Sequence, residues 1–136
     1  MPRLADPPLP RRLELSGLWA ALTLCYLYGD YFGLYRPGTL AGMLAGQGPV
    51  GPTTQGSLLG VALLLLVPCL LVATCLLLPA RAVRIACLVF GLLYTLVMVP
   101  TLPGSWRFYQ AYAAVEMALT LLIAWRAWTW PRTEAP

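Results

Sequence analysis

The sequence contains no lysine and no histidine, and only 10% of its 136 residues are charged. Without histidine, the usual ligand sets for zinc and for haem iron are missing. The signatures of phosphate-binding P-loops, dinucleotide-binding folds and Ser-His-Asp enzymes are missing too. We therefore expect no metal site and no bound cofactor.

Cysteine is present but is not arranged as a recognisable redox motif. The chain has four cysteines, none of them in a CxxC pair: Cys25, Cys69, Cys75 and Cys87. A membrane enzyme that exchanges disulfides needs two neighbouring thiols, so this spacing argues against that class. All four lie within predicted helices, where a free cysteine behaves as a small apolar side chain. We expect them to be buried, reduced and space-filling.

The chain is rich in apolar sequence, which accounts for 60% of its residues. Four runs are long enough to form a helix of about 20 residues, the length that crosses an apolar layer of roughly 30 Å. The predicted spans cover residues 13–34, 56–78, 83–102 and 107–129, within a single membrane domain at 13–131. The sequence therefore predicts an all-α integral membrane protein, built as a four-helix bundle with antiparallel up-down topology.

The arginines set the expected orientation, because basic residues accumulate on the cytoplasmic flanks of membrane spans. Seven fall on the side that holds both termini and the hinge after the second span, and two fall on the other side. The seven are Arg3, Arg11, Arg12, Arg81, Arg84, Arg126 and Arg132, and the two are Arg36 and Arg107. We expect a protein of the bacterial inner (plasma) membrane with a cytoplasmic Pro-rich segment at 1–12 and a cytoplasmic tail at 132–136. The arginines form no continuous basic stripe, so the lipid bilayer is an expected partner and nucleic acid is not.

Proline and glycine shape the connections between the spans. Residues 36–55 form the long outer loop, either a partly ordered lid or a plain linker, in which 38–46 could form one or two helical turns. Residues 79–82 are so few that the second and third spans are predicted to form a tight antiparallel hairpin. Pro68 is expected to kink the second span, because it removes one backbone donor and frees the carbonyl four residues earlier.

Small and aromatic residues indicate what the spans contact. Gly56 and Gly60 have the GxxxG spacing that lets helix backbones approach closely. We favour packing within the bundle, with a contact between two copies in a homo-oligomer as the alternative. Aromatic residues lie near both ends of the spans, as in interfacial belts: Tyr31, Phe32, Tyr35, Trp106 and Phe108 at one end and Trp125, Trp128 and Trp130 at the other.

Two acids interrupt the apolar runs, Asp30 in the first span and Glu116 in the fourth. An ionisable group in hydrocarbon is costly unless it is paired, protonated or in a wet cavity, so it usually marks a site. At about 100° per residue, each acid belongs to a polar and aromatic stripe on its helix. The stripes are Trp19, Thr23, Tyr26 and Asp30 on the first span and Tyr109, Tyr112, Glu116 and Thr120 on the fourth. We expect the stripes to face each other or to share a cavity.

The expected cavity lies in the outer half of the membrane. With a rise of about 1.5 Å per residue, Glu116 is roughly 13 Å from Arg107 and Asp30 is roughly 9 Å from Arg36. Three explanations of the acids stay open. Tyr26, Tyr109, Tyr112 and Gln110 could hold them in a structural hydrogen-bond network. Desolvation and like charge could keep one acid protonated, which gives an acid and base pair. A cationic or hydrogen-bonding ligand could sit among the aromatic rings.

Several short motifs carry a resemblance: YLYGDYF at 26–32, RPG at 36–38, TQG at 54–56, and Glu116 followed by Trp125 and WTWP at 128–131. With them the chain resembles an uncharacterised bacterial family of small four-span membrane proteins, and it is similar in layout to the DoxX-like proteins. The resemblance covers nearly the whole chain after the first dozen residues. It implies inner-membrane redox or small-molecule partners, although this chain lacks the histidines or CxxC pair that would support electron transfer. The layout is also similar, by analogy alone, to four-span sterol isomerases and related amine-binding receptors.

The leading functional prediction is a binding protein whose outward-facing cavity recognises a lipophilic small molecule through Asp30 and Glu116, with the other six stripe residues as ligand contacts. An alternative is an intramembrane isomerase or cyclase that uses the two acids as a catalytic acid and base pair on a terpene-like or sterol-like substrate. A proton-coupled transporter and an accessory subunit of a membrane complex are further alternatives.

Overall fold

The structure is a computed structural model that describes residues 7–48 and 51–131. Most of the described residues are helical, which confirms the predicted all-α class. The helices are α1 (Arg11–Gly33), α2 (Thr39–Leu44), α3 (Gln55–Leu77), α4 (Ala80–Met98) and α5 (Arg107–Trp128), and a short 3₁₀ turn (Val99–Thr101) extends α4. Arg3, Arg132, the first half of the Pro-rich segment and the tail at 132–136 lie outside the described residues.

Three of the described helices are long and apolar enough to cross a membrane: α3, α4 with its 3₁₀ extension, and α5. α1 has the same length as α3, 23 residues. It is less apolar because it includes Arg11, Glu14 and Asp30.

α1 packs against both α3 and α5, and α5 packs in turn against α4. Side-chain contacts fix the relative directions of these helices. Near the start of α1, Ser16 Oγ donates to the carbonyl of Val72 near the end of α3, at 2.8 Å. Arg84, in the second turn of α4, donates through Nε to the carbonyl of Ala127 at the end of α5, at 3.2 Å. α1 and α3 are therefore antiparallel, and so are α4 and α5.

The contact between α3 and α4 differs from the tight hairpin that the short connection predicts. Only Leu78 and Pro79 separate the two helices, yet they contact each other sparsely. A short turn forces two helices to be neighbours at one end, but it does not set how closely they pack along their length. Each of them packs more closely against another helix, α3 against α1 and α4 against α5.

α4 and α5 approach each other closely at Gly91 of α4. A Cβ at this position would lie 3.0 Å from the carbonyl oxygen of Thr120 and 3.3 Å from Ala124 Cβ, both on α5. The GxxxG glycines do not have this role, and the favoured prediction that they pack within the bundle is wrong: a Cβ at Gly60 would meet nothing within 4 Å. The reason is helical phase, because Gly60 lies roughly 80° around α3 from the buried Pro68.

Pro68 lies inside α3, where a proline leaves the carbonyl four residues earlier without its helical donor. That carbonyl belongs to Leu64, and the hydroxyl of Tyr94 on α4 donates to it. Tyr94 is only 3% exposed. The two helices are therefore joined by a side-chain hydrogen bond at the position where proline disrupts the backbone ladder.

The connection between α1 and α3 contains regular structure. The helical turns expected over 38–46 are present as α2, which follows Gly38 in the left-handed conformation at φ 82°. Strands β1 (Gln47–Gly48) and β2 (Gly51–Pro52) pair in antiparallel fashion. α2 packs mainly against β1 and buries none of its own residues. A capping box between Thr54 and Ser57 then starts α3.

Candidate functional site

Glu116 is a buried acid in the middle of α5. The face that α5 turns to the other helices consists of residues that recur every three or four positions: Ala113, Glu116, Thr120, Ile123, Ala124 and Ala127. Glu116 thus occupies a core position, and it is 3% exposed. Within residues 7–48 and 51–131 its carboxyl group has no hydrogen-bond or ion-pair partner. A buried carboxyl group without a partner costs free energy, so its presence requires an explanation.

α1 approaches Glu116 at Gly29. A Cβ at Gly29 would lie 3.8 Å from Glu116 Oε1 and 3.9 Å from Tyr112 Cβ. Because glycine has no side chain, the carboxyl group of Glu116 lies directly against this turn of α1. Sequence reasoning did not single out Gly29, although a glycine inside a helix often marks such a close approach.

Tyr26 lies one turn before Gly29 on α1, and its hydroxyl is a second unpartnered polar group. This oxygen is buried and has no hydrogen-bond partner in the described part of the chain. Its ring packs against that of Tyr94, with the ring centroids 6.1 Å apart. The contact between α1 and α5 therefore brings together two polar groups that lack protein partners.

Asp30 differs from the expectation of two acids at one depth inside the bundle, because it is exposed at the surface of the chain. A depth counted from Arg36 is too large, because α1 ends at Gly33. Asp30 is therefore only about one turn from the end of the helix. It also points roughly 100° away from the buried Gly29. Glu116 is thus the interior acid, and Asp30 lies next to Gly29 on the exposed side of α1.

The inner members of the two stripes have partners in the protein core. Trp19 is fully buried and donates through Nε1 to Cys87 Sγ at 3.3 Å. Thr23 Oγ1 donates to the carbonyl of Trp19 at 2.8 Å. The hydroxyl of Thr120 forms a 2.7 Å hydrogen bond with that of Thr95 on α4. These contacts account for Trp19, Thr23 and Thr120 without a ligand.

The structural network proposed from the sequence is not formed by the described residues. Neither Tyr109 nor Tyr112 makes a side-chain hydrogen bond there, and Gln110 Nε2 donates to the carbonyl of Ser105 at 3.1 Å. None of these side chains, nor that of Tyr26, donates to Asp30 or Glu116. The explanation that tyrosines hold the acids for structural reasons therefore loses its main support.

An aromatic cleft of about 390 Å³ opens between α1 and α5, at the end where α1 finishes and α5 begins. Its lining is almost entirely apolar and consists of Phe32, Tyr35, Arg36, Trp106, Phe108 and Tyr112. Phe32 stacks on Tyr112, with centroids 6.4 Å apart, and the guanidinium of Arg36 lies 5.6 Å from the ring centroid of Trp106. Tyr112 also neighbours Gly29, beside Glu116, so one residue contacts both the cleft and the part of α1 that lies against the buried acid.

The sequence of the chain also matches a known protein family. Residues 9–136 match a family described as a family of unknown function, DUF6326. The chain belongs to the DUF6326 family. No curated protein and no solved structure matches it. The DUF6326 match includes all four long helices and both acids, so the site lies within the part of the chain that defines family membership.

The opposite end of the DUF6326 chain contains a charged cluster that sequence reasoning missed. Glu14 accepts a hydrogen bond from Arg11 Nη1 at 2.9 Å and another from Arg126 Nε. Arg11 lies three positions before Glu14, a spacing that could have revealed the local pair. The contact with Arg126 depends on the packing of α1 against α5.

The cysteines of this DUF6326 protein also differ from expectation. Cys75 and Cys87 are buried as expected, but their sulfurs lie 3.7 Å apart across α3 and α4, so neighbouring thiols exist without a CxxC motif. Cys69 is exposed instead of buried. Among the described residues, no group of three or more His, Cys, Asp or Glu side chains is placed to hold a metal ion.

Proposed function

We propose that this protein is a four-span protein of the bacterial inner membrane, with both termini in the cytoplasm, that binds a lipophilic small molecule in an outward-facing site at Glu116. In this proposal α1 crosses the membrane as the first of four spans, followed by α3, α4 and α5. The layout is DoxX-like, and Asp30 lies at the outer rim of the site. The observation that carries the proposal is Glu116, a residue that is 3% exposed and whose carboxyl group forms no hydrogen bond or ion pair with the described residues.

Surface composition supports α1 as a membrane span. Its outward-facing residues over most of its length are apolar or aromatic, including Leu24, Leu27, Tyr28 and Tyr31. Its polar residue Ser16 instead faces α3 and is 6% exposed. A helix that contacts two neighbours can hold more polar residues than one that faces lipid, because its inner face is shielded. This accounts for the lower apolarity of α1.

The charges at the two ends support the proposed orientation. Arg11, Arg84 and Arg126 lie at one end of the bundle, where they contact Glu14 or the end of α5. Arg36 lies at the other end, over Trp106. Because basic residues are enriched on the cytoplasmic side, the end with Arg11 and Arg126 is proposed to face the cytoplasm.

The chemistry of the site favours a ligand with a protonated amine or another strong hydrogen-bond donor. Such a group would supply the partner that Glu116 lacks, and a charge-assisted hydrogen bond is the strong kind. The apolar body of the ligand would occupy the aromatic cleft, whose six lining residues include five aromatic rings. Aromatic faces also stabilise a nearby cation.

The proposal is tested with radiolabelled dodecylamine and the protein in lipid nanodiscs, with dodecanol as the neutral probe of equal chain length. We expect saturable binding of the amine above that to empty nanodiscs. Glu116→Gln should weaken amine binding at least about tenfold, because a charge-assisted hydrogen bond contributes roughly 1.5–3 kcal/mol. Dodecanol binding should change little. Asp30→Asn should have a smaller effect, since Asp30 is exposed.

Glu14→Gln is the matched control, because it makes the same chemical change at the opposite end of the bundle. It should leave amine affinity unaltered. The proposal fails if the amine shows no saturable binding, or if folded Glu116→Gln protein binds it as tightly as the unmodified protein does.

A further inference from the structure

The buried pair of thiols lies outside the site at Glu116. Cys75 is in the last turn of α3 and Cys87 is in the third turn of α4, and their sulfurs are 3.7 Å apart. The two residues are 1% and 0% exposed. In the described part of the chain, neither Cys25 nor Cys69 has another sulfur within contact distance; Cys69 Sγ donates to the carbonyl of Leu65 in its own helix.

The surroundings of the pair favour reaction at Cys87. The indole N–H of Trp19 donates to Cys87 Sγ at 3.3 Å. A hydrogen bond donated to sulfur stabilises the negative charge of a thiolate, and the thiolate is the nucleophilic form of cysteine. Cys75 is in direct contact with Cys87 and would therefore supply the second sulfur of a disulfide.

We propose that Cys75 and Cys87 form a reversible disulfide that links α3 to α4. Two S–H bonds break and one S–S bond forms, and both sulfurs are oxidised. The two electrons and two protons pass to a lipid-soluble acceptor of the quinone or diazene class, which leaves as the hydroquinone or the hydrazine. This inference is independent of the proposed ligand site, because it uses neither Glu116 nor the aromatic cleft.

The packing of the two helices allows the bond to form. The sulfurs must approach from 3.7 Å to about 2.05 Å, the length of a disulfide. α3 and α4 contact each other sparsely, so side-chain rotation and a small shift of one helix end can close this gap. Because both thiols are buried among apolar residues, a lipid-soluble oxidant is favoured over a water-soluble one.

The experiment uses the full chain in lipid nanodiscs, oxidised with diamide, a membrane-permeant diazene. Remaining thiols are blocked with N-ethylmaleimide, and the protein is then unfolded and digested with trypsin. Arg81 and Arg84 lie between Cys75 and Cys87, so trypsin places the two cysteines on different peptides. We expect the peptides to stay joined after oxidation and to separate after treatment with dithiothreitol. The intact chain should lose the mass of two hydrogens.

Two variants assign the link. The Cys25→Ala and Cys69→Ala double variant should still form it, because it retains only the proposed pair. Cys75→Ser should lose it. If the double variant does not fold, fragmentation mass spectrometry of the joined peptides from the unmodified chain identifies the linked residues directly. The proposal is overturned if the peptides separate without reduction while added glutathione is fully oxidised, or if Cys75→Ser forms the same link to Cys87.

Discussion

Replacing Gly91 by leucine should destabilise the protein by about 1–3 kcal/mol, because overpacking a close helix contact forces the backbones apart. Even the first added carbon would lie 3.0 Å from the backbone oxygen of Thr120, and a backbone atom cannot rotate away as a side chain can. The same side chain would displace Ala124, whose Cβ is 3.3 Å from that position. The measurement is the free energy of unfolding from titration with SDS in mixed micelles, followed by circular dichroism.

Gly60→Leu provides the matched control for Gly91→Leu. Both glycines lie inside long helices, but a Cβ at Gly60 meets nothing within 4 Å. Leucine is a better helix former than glycine by roughly 0.8 kcal/mol, so this variant should be as stable as the unmodified chain or slightly more stable. If the two substitutions destabilised the protein equally, α4 and α5 would not pack closely at Gly91.

Replacing Trp19 by alanine should cost about 3–5 kcal/mol of stability, the range observed when a large aromatic residue is removed from a core. Trp19 is fully buried, contacts Tyr94 edge to face with centroids 6.2 Å apart, and donates to Cys87. Its removal opens a cavity where α1 meets α4. The same titration with SDS measures the loss.

Trp125→Ala is the control for this substitution, because Trp125 is 61% exposed. Surface substitutions usually change stability by about 0.5 kcal/mol or less, so the two tryptophans should differ severalfold. Trp19→Phe should fall between them, since it retains a ring but loses the N–H donor. If Trp19→Ala cost no more than Trp125→Ala, Trp19 would face the membrane and not the core.

Sequence periodicity and composition were sufficient to predict the long helices. Long runs of mostly apolar residues indicated α3, α4 and α5, and the acid within the last of these runs indicated Glu116. Periodicity could not decide which of two overlapping faces of α1 is buried against the other helices. The predicted stripe of Trp19, Thr23, Tyr26 and Asp30 shares Trp19 with the face that is buried, which also contains Leu15, Leu22 and Gly29. Only the neighbouring helices decide which of these two faces is covered.

The contact between Cys75 and Cys87 required three-dimensional information for a related reason. The two cysteines are on different helices. The distance between their sulfurs depends on the relative orientation of α3 and α4, which are joined by Leu78 and Pro79. The close approach at Gly91 depends in the same way on the packing of α5. The spacing of residues along the sequence predicts neither the contact between the two cysteines nor the close approach at Gly91.

The most direct test of the account concerns the reason for a carboxyl group at Glu116. If this group serves a ligand and not the fold, Glu116→Leu should stabilise the ligand-free protein by about 1–3 kcal/mol, because an unpartnered buried polar group is replaced by an apolar one of similar size. The free energy of unfolding in SDS, measured for Glu116→Leu beside the unmodified chain, gives the answer. A gain in stability is the predicted result. A loss of similar size would show that Glu116 holds the bundle together and would contradict the account.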